Sequence, residues 1–514
     1  MAPWPVAPQP SARKRRWPGP SAAAASQVAV VATVCAAAVA AASLPLDRSG
    51  LGWLIAAVAG TAALTAAARS GSRSDATGAP KREPAGGLTR WVWAAATLAL
   101  LGVGTLRAAG WLFVLCLLTA VVTGCLALLN GRSVAALLAS LVLPGIAAIR
   151  SLPWAARGLS HLGRRSGRSP VRILATGGVS LVLLIVFGAL FASADVAFAE
   201  LLGWLMPEIS LSAVFRIVIL FPLLTLGLTG GAYLVTAPPD LAGLEAPEAR
   251  RVHRLEWAVP LALLDLLFAA FVLVQVTVLF GGAAHVLGES GPTFAQYARQ
   301  GFWQLLLVTA LALLVLGAAA RWAPRATRGD RVLIRILLGA LALLTLVIVA
   351  SALYRMHVYQ EAYGFTRLRV FVSAFELWLG LVFLLVLCAG LRLRAAWLPR
   401  LVVGSAVACL LALAALNPDR FIAERNIDRY TATGRIDVFY LSLLSSDAVP
   451  ALDRLPDPLR DCALRGIAER LADDPDDWRS WNVARTQARE LIAADQPAQV
   501  GFDDCERAVT SGVR

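Results

Sequence analysis

The chain has little charge and none of the residue clusters that carry common enzyme chemistry. Only 16% of its 514 residues are charged, against about a quarter in a soluble domain. Four histidines, His161, His253, His285 and His357, are scattered and none sits in an HExxH, which argues against a zincin-type metal site. No CxxC and no GxxxxGK[ST] loop occurs, so neither a zinc ribbon nor a P-loop ATPase is supported. Cys35, Cys116, Cys125, Cys388 and Cys409 lie inside apolar runs, where a thiol acts as a small buried hydrophobe. No convincing internal repeat is visible. No catalytic residue, metal or cofactor is expected.

Apolar sequence is abundant: 58% of residues are hydrophobic and the mean hydropathy is +0.68. The membrane class follows before any window is inspected. A net charge of +14 invites a nucleic-acid reading until it is mapped. Residues 417–514 hold 13 Arg against 18 Asp or Glu, leaving 34 basic and 15 acidic groups in the other 416 residues. Those basic groups sit mostly in short loops between apolar runs, as suits the anionic cytoplasmic face of a bilayer. With no basic, aromatic-interleaved soluble domain, nucleic acid is not an expected partner. The lipid bilayer is.

Taken in order, residues 1–26 form a Pro-, Ala- and Ser-rich basic N-terminus that reads as disordered and cytoplasmic, and 27–149 form the N-terminal membrane segments. A basic connector, 150–172, carries six Arg. The main membrane bundle, 173–416, holds apolar runs near 173–193, 213–236, 258–281, 302–320, 332–352, 370–390 and 398–416. Each approaches the roughly 20 residues a helix needs to cross a hydrocarbon core of about 30 Å. Loops 150–172, 237–257, 321–331 and 391–400 are basic, whereas 194–212 and 282–301 are not, so the basic set is assigned to the cytoplasm. Loop 69–90 is basic too, and parity then demotes 133–149, with its Pro144-Gly145, to a re-entrant or interfacial helix. The expectation is an all-α polytopic membrane protein of about 11 spans, with 11–13 possible, and a cytoplasmic N-terminus. Pro260, Pro222 and Gly281-Gly282 are places where spans could break.

The stretch Ala350–Gly380 concentrates polar and aromatic groups between two apolar runs. Arg355, His357, Glu361, Arg367 and Arg369 lie in its connector, read as 353–369, and Glu376 lies inside the following run. On the assigned topology the connector is on the outer side, where arginine should be rare, so its arginines need a reason. Asp265 and Gln275 are the other strongly polar groups inside a span. Burying Asp in hydrocarbon costs at least about 2.5–3.5 kcal/mol on insertion scales, so each such group needs a partner or a task. Arg335 is the structural partner considered for Asp265. Arg369, two turns from Glu376, is considered for that residue, with a headgroup pocket of Arg355, Arg367 and Arg369 as the alternative. Tyr354, Tyr359, Tyr363 and Phe365 fit an interfacial aromatic belt, and Gly364 suits a corner needing positive φ.

After Asn417-Pro418-Asp419 ends the last span, 417–514 reads as a small extracytoplasmic helical tail. Ser446 or Asp447 could cap a short helix within it. Cys462 and Cys505, the tail's two cysteines, are a disulfide candidate in an oxidising compartment.

Two stretches, ALYRMHVYQEAYGFTRLRVFVSAFELWLG within 350–380 and NPDRFIAERNIDRYTATGRIDVFYLSLLSSDAVPAL from 417, resemble the polytopic bacterial proteins filed as domain of unknown function 4173, close to number 4153. FASADVAFAELL at 191–202 is similar to the same group, and the resemblance covers roughly 170 to the end. It implies a bacterial, and by composition actinobacterial, envelope, and it carries no activity, catalytic residue or cofactor. The leading expectation is therefore a non-enzymatic scaffold, sensor or assembly partner meeting an envelope protein or lipid headgroup through its outer face. A transporter or lipid flippase using Asp265 and Glu376, and a membrane-embedded transferase acting on a lipid-linked substrate, are the alternatives.

Overall fold

The computed structural model describes residues 24–71, 87–131, 133–165, 170–195, 214–239, 253–280, 302–323, 327–392 and 395–498, with 198, 241, 501, 504, 505 and 507. The N-terminal lead-in up to residue 23, Gly281-Gly282, loop 282–301, most of loop 194–212 and much of the 191–202 motif lie outside the described residues. The protein is all-α, with no strand among the described residues. The helices are α1 Gln27–Ser43, α2 Leu51–Gly71, α3 Gly87–Leu106, α4 Gly110–Leu129, α5 Val134–Arg165 and α6 Pro170–Ala194. They continue with α7 Phe221–Thr236, α8 Arg254–Phe280, α9 Phe302–Trp322, α10 Arg328–Tyr363, α11 Arg367–Arg392 and α12 Leu398–Leu416. Short helices follow: α13 Pro418–Thr433, α14 Val438–Ser442, α15 Val449–Leu452, α16 Leu459–Asp473 and α17 Val483–Ala494.

Among the described residues ten helices are long and apolar enough to cross a membrane, while α1, at 17 residues, is apolar but shorter. This is a multi-pass membrane protein. Proline interrupts less than its positions suggest. The π turn Arg216–Leu220 leads directly into α7, where Pro222 occupies the first turn and needs no N–H partner. α8 runs through Pro260, and α5 runs through Pro144 and Pro153. Over Val134–Gly158, α5 is itself long and apolar enough to span. It buries a stripe of Ala136, Ser140, Ala147, Ser151 and Trp154 and exposes Leu138, Val142 and Ile149.

The chain divides into two compact units. The first comprises 1–44, 55–95 and 124–246. Its core joins small and aromatic residues, among them Ala25, Ala29, Ala147, Trp154, Ala232 and Tyr233, with the Trp154 and Tyr233 rings edge-on at 5.6 Å. Small side chains at these crossings let backbones approach closely, which supplies the packing that holds helices together in lipid.

The second unit comprises 45–54, 96–123 and 247–514. Its membrane part packs α8, α9, α10 and α11 around Phe268, Leu305, Leu316, Leu341, Ile348 and Phe383. Helix α10 is 36 residues long, about 54 Å at 1.5 Å per residue, so it outruns the hydrocarbon thickness. A capping box of Thr327 and Asp330 starts it. The supposed connector is largely helical: α10 carries its buried stripe through Met356 and Gln360, and only residues 364–366 separate it from α11. No Gly or Pro occurs between Leu353 and Tyr363 to stop it.

At the other junction Asn417, at φ 55°, is left-handed, ends α12 and starts α13, with Pro418 at the first helical position. The tail folds around Leu441, Leu444, Val449, Leu452, Leu464 and Ile467, and this core continues into Leu100, Leu112 and Val370 of α3, α4 and α11. Cys462 and Cys505 form a disulfide with Cα atoms 5.7 Å apart.

Candidate functional site: a seam between the tail and the helix ends

A membrane helix leaves backbone N–H groups unpaired at its start and C=O groups unpaired at its end. In the second unit the tail pairs many of them. Asp447 Oδ2 accepts from the Ala108 and Ala109 N–H groups at the start of α4, at 2.8 and 2.9 Å. Asn482 Nδ2 donates to the Gly104 and Arg107 carbonyls at the end of α3, at 2.8 and 2.9 Å. The Leu51 and Gly52 N–H groups that open α2 donate to the Trp481 and Arg479 carbonyls. Here Gly50 runs so close to Ser480 that a Cβ would stand 2.5 Å from its backbone. Asp447 thus caps a membrane helix instead of the short tail helix that the sequence suggested.

The centre of the seam is Asp419, which is fully buried on α13. Arg367 at the start of α11 grips both of its oxygens, Nε at 3.1 and 3.2 Å and Nη2 at 2.5 Å. Trp111 Nε1 and the Ser445 N–H complete the shell at 3.2 and 2.8 Å. Burial alone would push the Asp419 carboxyl up, but Arg367 and Ser445 outweigh it and hold it below the ordinary carboxylate range. Asp447 shows the opposite balance. Burial and the Asp419 charge push it up, and the Ser445 hydroxyl, the Ala108 N–H and Arg107 oppose them without prevailing. Its Oδ1 is buried with no hydrogen-bond partner among the described residues.

A second clasp lies at the α10–α11 corner. Gly364 has φ 80° and ψ 174°, a conformation open essentially to glycine alone. Asn426 forms a reciprocal pair with Phe365, accepting its N–H at 3.1 Å and donating to its C=O at 2.9 Å. A Cβ on Gly364 would fall 2.3 Å from Asn426 Oδ1. Tyr440 Oη accepts the Arg367 N–H at 2.7 Å, and Arg429 donates to the Ala362 carbonyl at 2.8 Å. A third clasp joins Arg48 and Arg485 to Asp476 at 3.3 and 2.8 Å, with Arg485 also donating to the Ser49 carbonyl.

The polar residues singled out in the sequence do not share one pocket. Arg367 enters the seam. Arg369 instead donates to the Tyr363 and Gly364 carbonyls and covers the Tyr359 ring at 4.3 Å, so it closes the end of α10 and does not reach Glu376. Gln275 accepts from Ser351 at 3.3 Å and from Arg355, which ties α8 to α10. His357 and Glu361 form an exposed pair at 3.3 Å. Glu376 is buried in α11, and its oxygens have no hydrogen-bond partner among the described residues. Ser373 one turn before it bonds Gln360 at 3.1 Å, and Gly380 one turn after faces Val349, so Glu376 lies in the α10–α11 seam. The Asp265 oxygens are likewise buried without a hydrogen-bond partner among the described residues, Arg335 included.

Two of the cavities lined by described residues lie in this unit. One of about 100 Å³ is mainly apolar and lies among Leu316, Arg335, Leu338, Val386 and Leu398. The other, about 410 Å³, opens at the tail seam beside Trp111, Arg367 and Arg470. Neither is lined by Asp265 or Glu376. As site residues, sequence reasoning passed over Asp419, Asn426, Tyr440 and Asn482, and it gave Asp447 only a local capping role. The available signal was the acidic residue set directly behind a span in Asn417-Pro418-Asp419, read there only as a helix stop.

A family model described as a domain of unknown function (DUF4153) matches residues 95–455. This corrects the resemblance above in number, from 4173 to 4153, and in extent, since the match begins well before residue 170 and ends within the tail. No curated protein and no solved structure matches the chain.

Proposed function

The chain belongs to the DUF4153 family, and from that premise we propose that it is a non-enzymatic scaffold or sensor of the bacterial cell envelope. Its tail faces outward as a fixed platform on the membrane helices. The observation that carries this reading is the seam itself: one hydrophobic core and a set of buried polar clasps run from the helix ends into the tail. A substrate gate or mobile lid comes from the weakly held parts of a structure, with few buried contacts. This junction has many.

Orientation follows from loop charge, with the arginine-rich 321–331 and 391–400 segments on the cytoplasmic side. A transporter or flippase keeps one observation in its favour, the carboxyls of Asp265 and Glu376, which have no hydrogen-bond partner among the described residues. They lie on different helices, and neither opens to a cavity described above. The test uses single cysteines at the exposed Ala432 and Arg328 in a cysteine-free background, with a membrane-impermeant maleimide on intact cells. Ala432→Cys should label and Arg328→Cys should not. Photo-crosslinkers at Trp478 and Phe439, both exposed on the tail, should capture a discrete envelope partner. Inverted labelling, or crosslinks to lipid alone, overturns the reading.

A further inference from the structure

The cavity at the seam has a composition that its clasps do not explain. It measures about 410 Å³, within the range of roughly 300–1,000 Å³ common for small-molecule sites. Four guanidinium groups line it, those of Arg48, Arg367, Arg470 and Arg485, with Trp111 and a single acid, Asp474. Three of the four have carboxylate partners: Arg367 has Asp419, and Arg48 and Arg485 have Asp476. Arg470 has none in ion-pair contact among the described residues. It donates to the Ser442 and Leu444 carbonyls at 3.0 and 2.8 Å, both times through Nη2, leaving the Nε and Nη1 donors for another acceptor. A guanidinium presents five donors in a fixed fork that suits a phosphate oxygen pair.

The position of the cavity narrows the ligand. Gly110 and Trp111 are the first residues of α4, and Arg367 is the first of α11; both helices are long and apolar enough to span. The cavity therefore lies at the level of the lipid headgroups. Leu443, Leu444 and Leu471 also line it, beside Ser445 and Ser446, and Leu443 is largely exposed. A lining that combines guanidinium groups with leucines suits an amphiphile with a phosphate near its apolar part. We infer that this cavity binds a phosphate oxyanion through Arg470, and that its source is the headgroup of an anionic phospholipid. The inference needs α4 and α11 to be spans. It depends neither on which face the tail occupies nor on the scaffold role, so failure of either leaves it standing.

The full chain in detergent is passed through nanodiscs of phosphatidylcholine, with and without phosphatidylglycerol, and retained lipid is counted by native mass spectrometry. Phosphatidylglycerol should be retained over phosphatidylcholine. Arg470→Gln should weaken that retention about tenfold, the effect of losing a charge-assisted bond pair. Arg470→Lys should restore part of it. Arg465→Gln removes the same charge from an exposed residue paired with Glu469 on the same helix, and should change nothing. If millimolar inorganic phosphate displaces the lipid, the oxyanion site stands and a soluble phosphate is its alternative source. If it does not, the lipid is the ligand. Should Arg470→Gln expose the tail to protease, Ser446→Asp, which adds a negative charge to the cavity wall, takes its place and should abolish retention. Equal retention of the two lipids, or retention unchanged by every cavity variant, overturns the proposal.

Discussion

The Arg367–Asp419 pair offers the sharpest test of how the tail is held. Asp419→Ala deletes a fully buried carboxylate and strands three donors: the Arg367 guanidinium, the Trp111 indole N–H and the Ser445 backbone N–H. Breaking a buried ion pair by removing one partner costs about 3–5 kcal/mol, because the other charge is left uncompensated. The Arg367 side chain is 34% exposed, so water recovers part of its solvation and the lower end, about 3 kcal/mol, is expected. Arg367→Gln/Asp419→Asn leaves neither charge stranded and should lose less than the two single changes added together, with a coupling of about 1–3 kcal/mol. Two assays apply to the full chain in detergent: thermal unfolding by intrinsic fluorescence, and the rate at which protease releases the 417–514 segment. Asp419→Ala should release it faster than wild type at a temperature where the membrane helices remain intact. Additive single and double effects would refute the claim that the two groups act as one clasp. Unchanged release from Asp419→Ala would refute the role of the clasp in docking the tail.

The same carboxylate sets an acid limit. The folded pKa of Asp419 lies below its ordinary value, so its contribution is present above about pH 4 and is lost as pH falls through the folded value. Acid should therefore loosen the tail of wild type more than that of Asp419→Asn. The sign reverses at Asp447, whose folded pKa is raised: it favours the fold at low pH and weakens it as pH rises from about 4 through the folded value. Asp447→Asn retains an acceptor for Ala108 and Ala109 and should match or exceed wild-type melting temperature at pH 7, an advantage that shrinks toward pH 4. Gly364→Ala should cost about 1–3 kcal/mol through its backbone conformation alone, and Asn426→Ala should relieve the added steric clash without restoring wild-type melting. Glu376→Gln should leave melting unchanged or raise it, since no cation among the described residues holds the carboxyl. A drop comparable to that of Asp419→Ala would reveal a counter-charge at Glu376.

Much of the fold was legible because membrane spans announce themselves locally. Length and hydropathy place a helix at each apolar run, and Asn417-Pro418 marks the break before the tail. The misread elements are those where local signals and context disagree. Pro144 and Pro260 suggested interruptions, but the helices continue through both. Tyr354–Tyr363 suggested a connector by polarity, yet nothing in it stops a helix, and Gln360 pairs with Ser373 on α11. The site was less legible still. Helical phase put Arg369 on the side of Glu376, but its guanidinium donates instead to two carbonyls at the end of α10. Asp419 read as part of a helix stop and Asp447 as a candidate cap of a short tail helix. What distinguishes them is burial against residues about 50 and 340 positions away, Arg367 and Ala108, and no pattern within the chain's own periodicity encodes such pairings.

On the proposed orientation the arginines of the α10–α11 corner run against the loop-charge rule, and the structure supplies a local reason for each. Arg367 is neutralised by a carboxylate from α13, so the pair brings little net charge to that end. Arg369 covers a tyrosine ring and donates to carbonyls at the C-terminal end of α10, where a cation is favoured by the helix dipole and by unpaired acceptors. Arg355 lies within α10 and bonds Gln275 on α8, so it belongs to helix packing and not to a loop. Topological charge bias acts on loop residues exposed to water and headgroups during insertion, and it says little about groups later enclosed by a folded domain. On the proposed orientation, Asp419 does for Arg367 what the bilayer's anionic face does for the arginines of the basic loops. The acidic excess of 417–514 then has a structural meaning: a domain seated on arginine-bearing helix ends must bring the opposite charge with it.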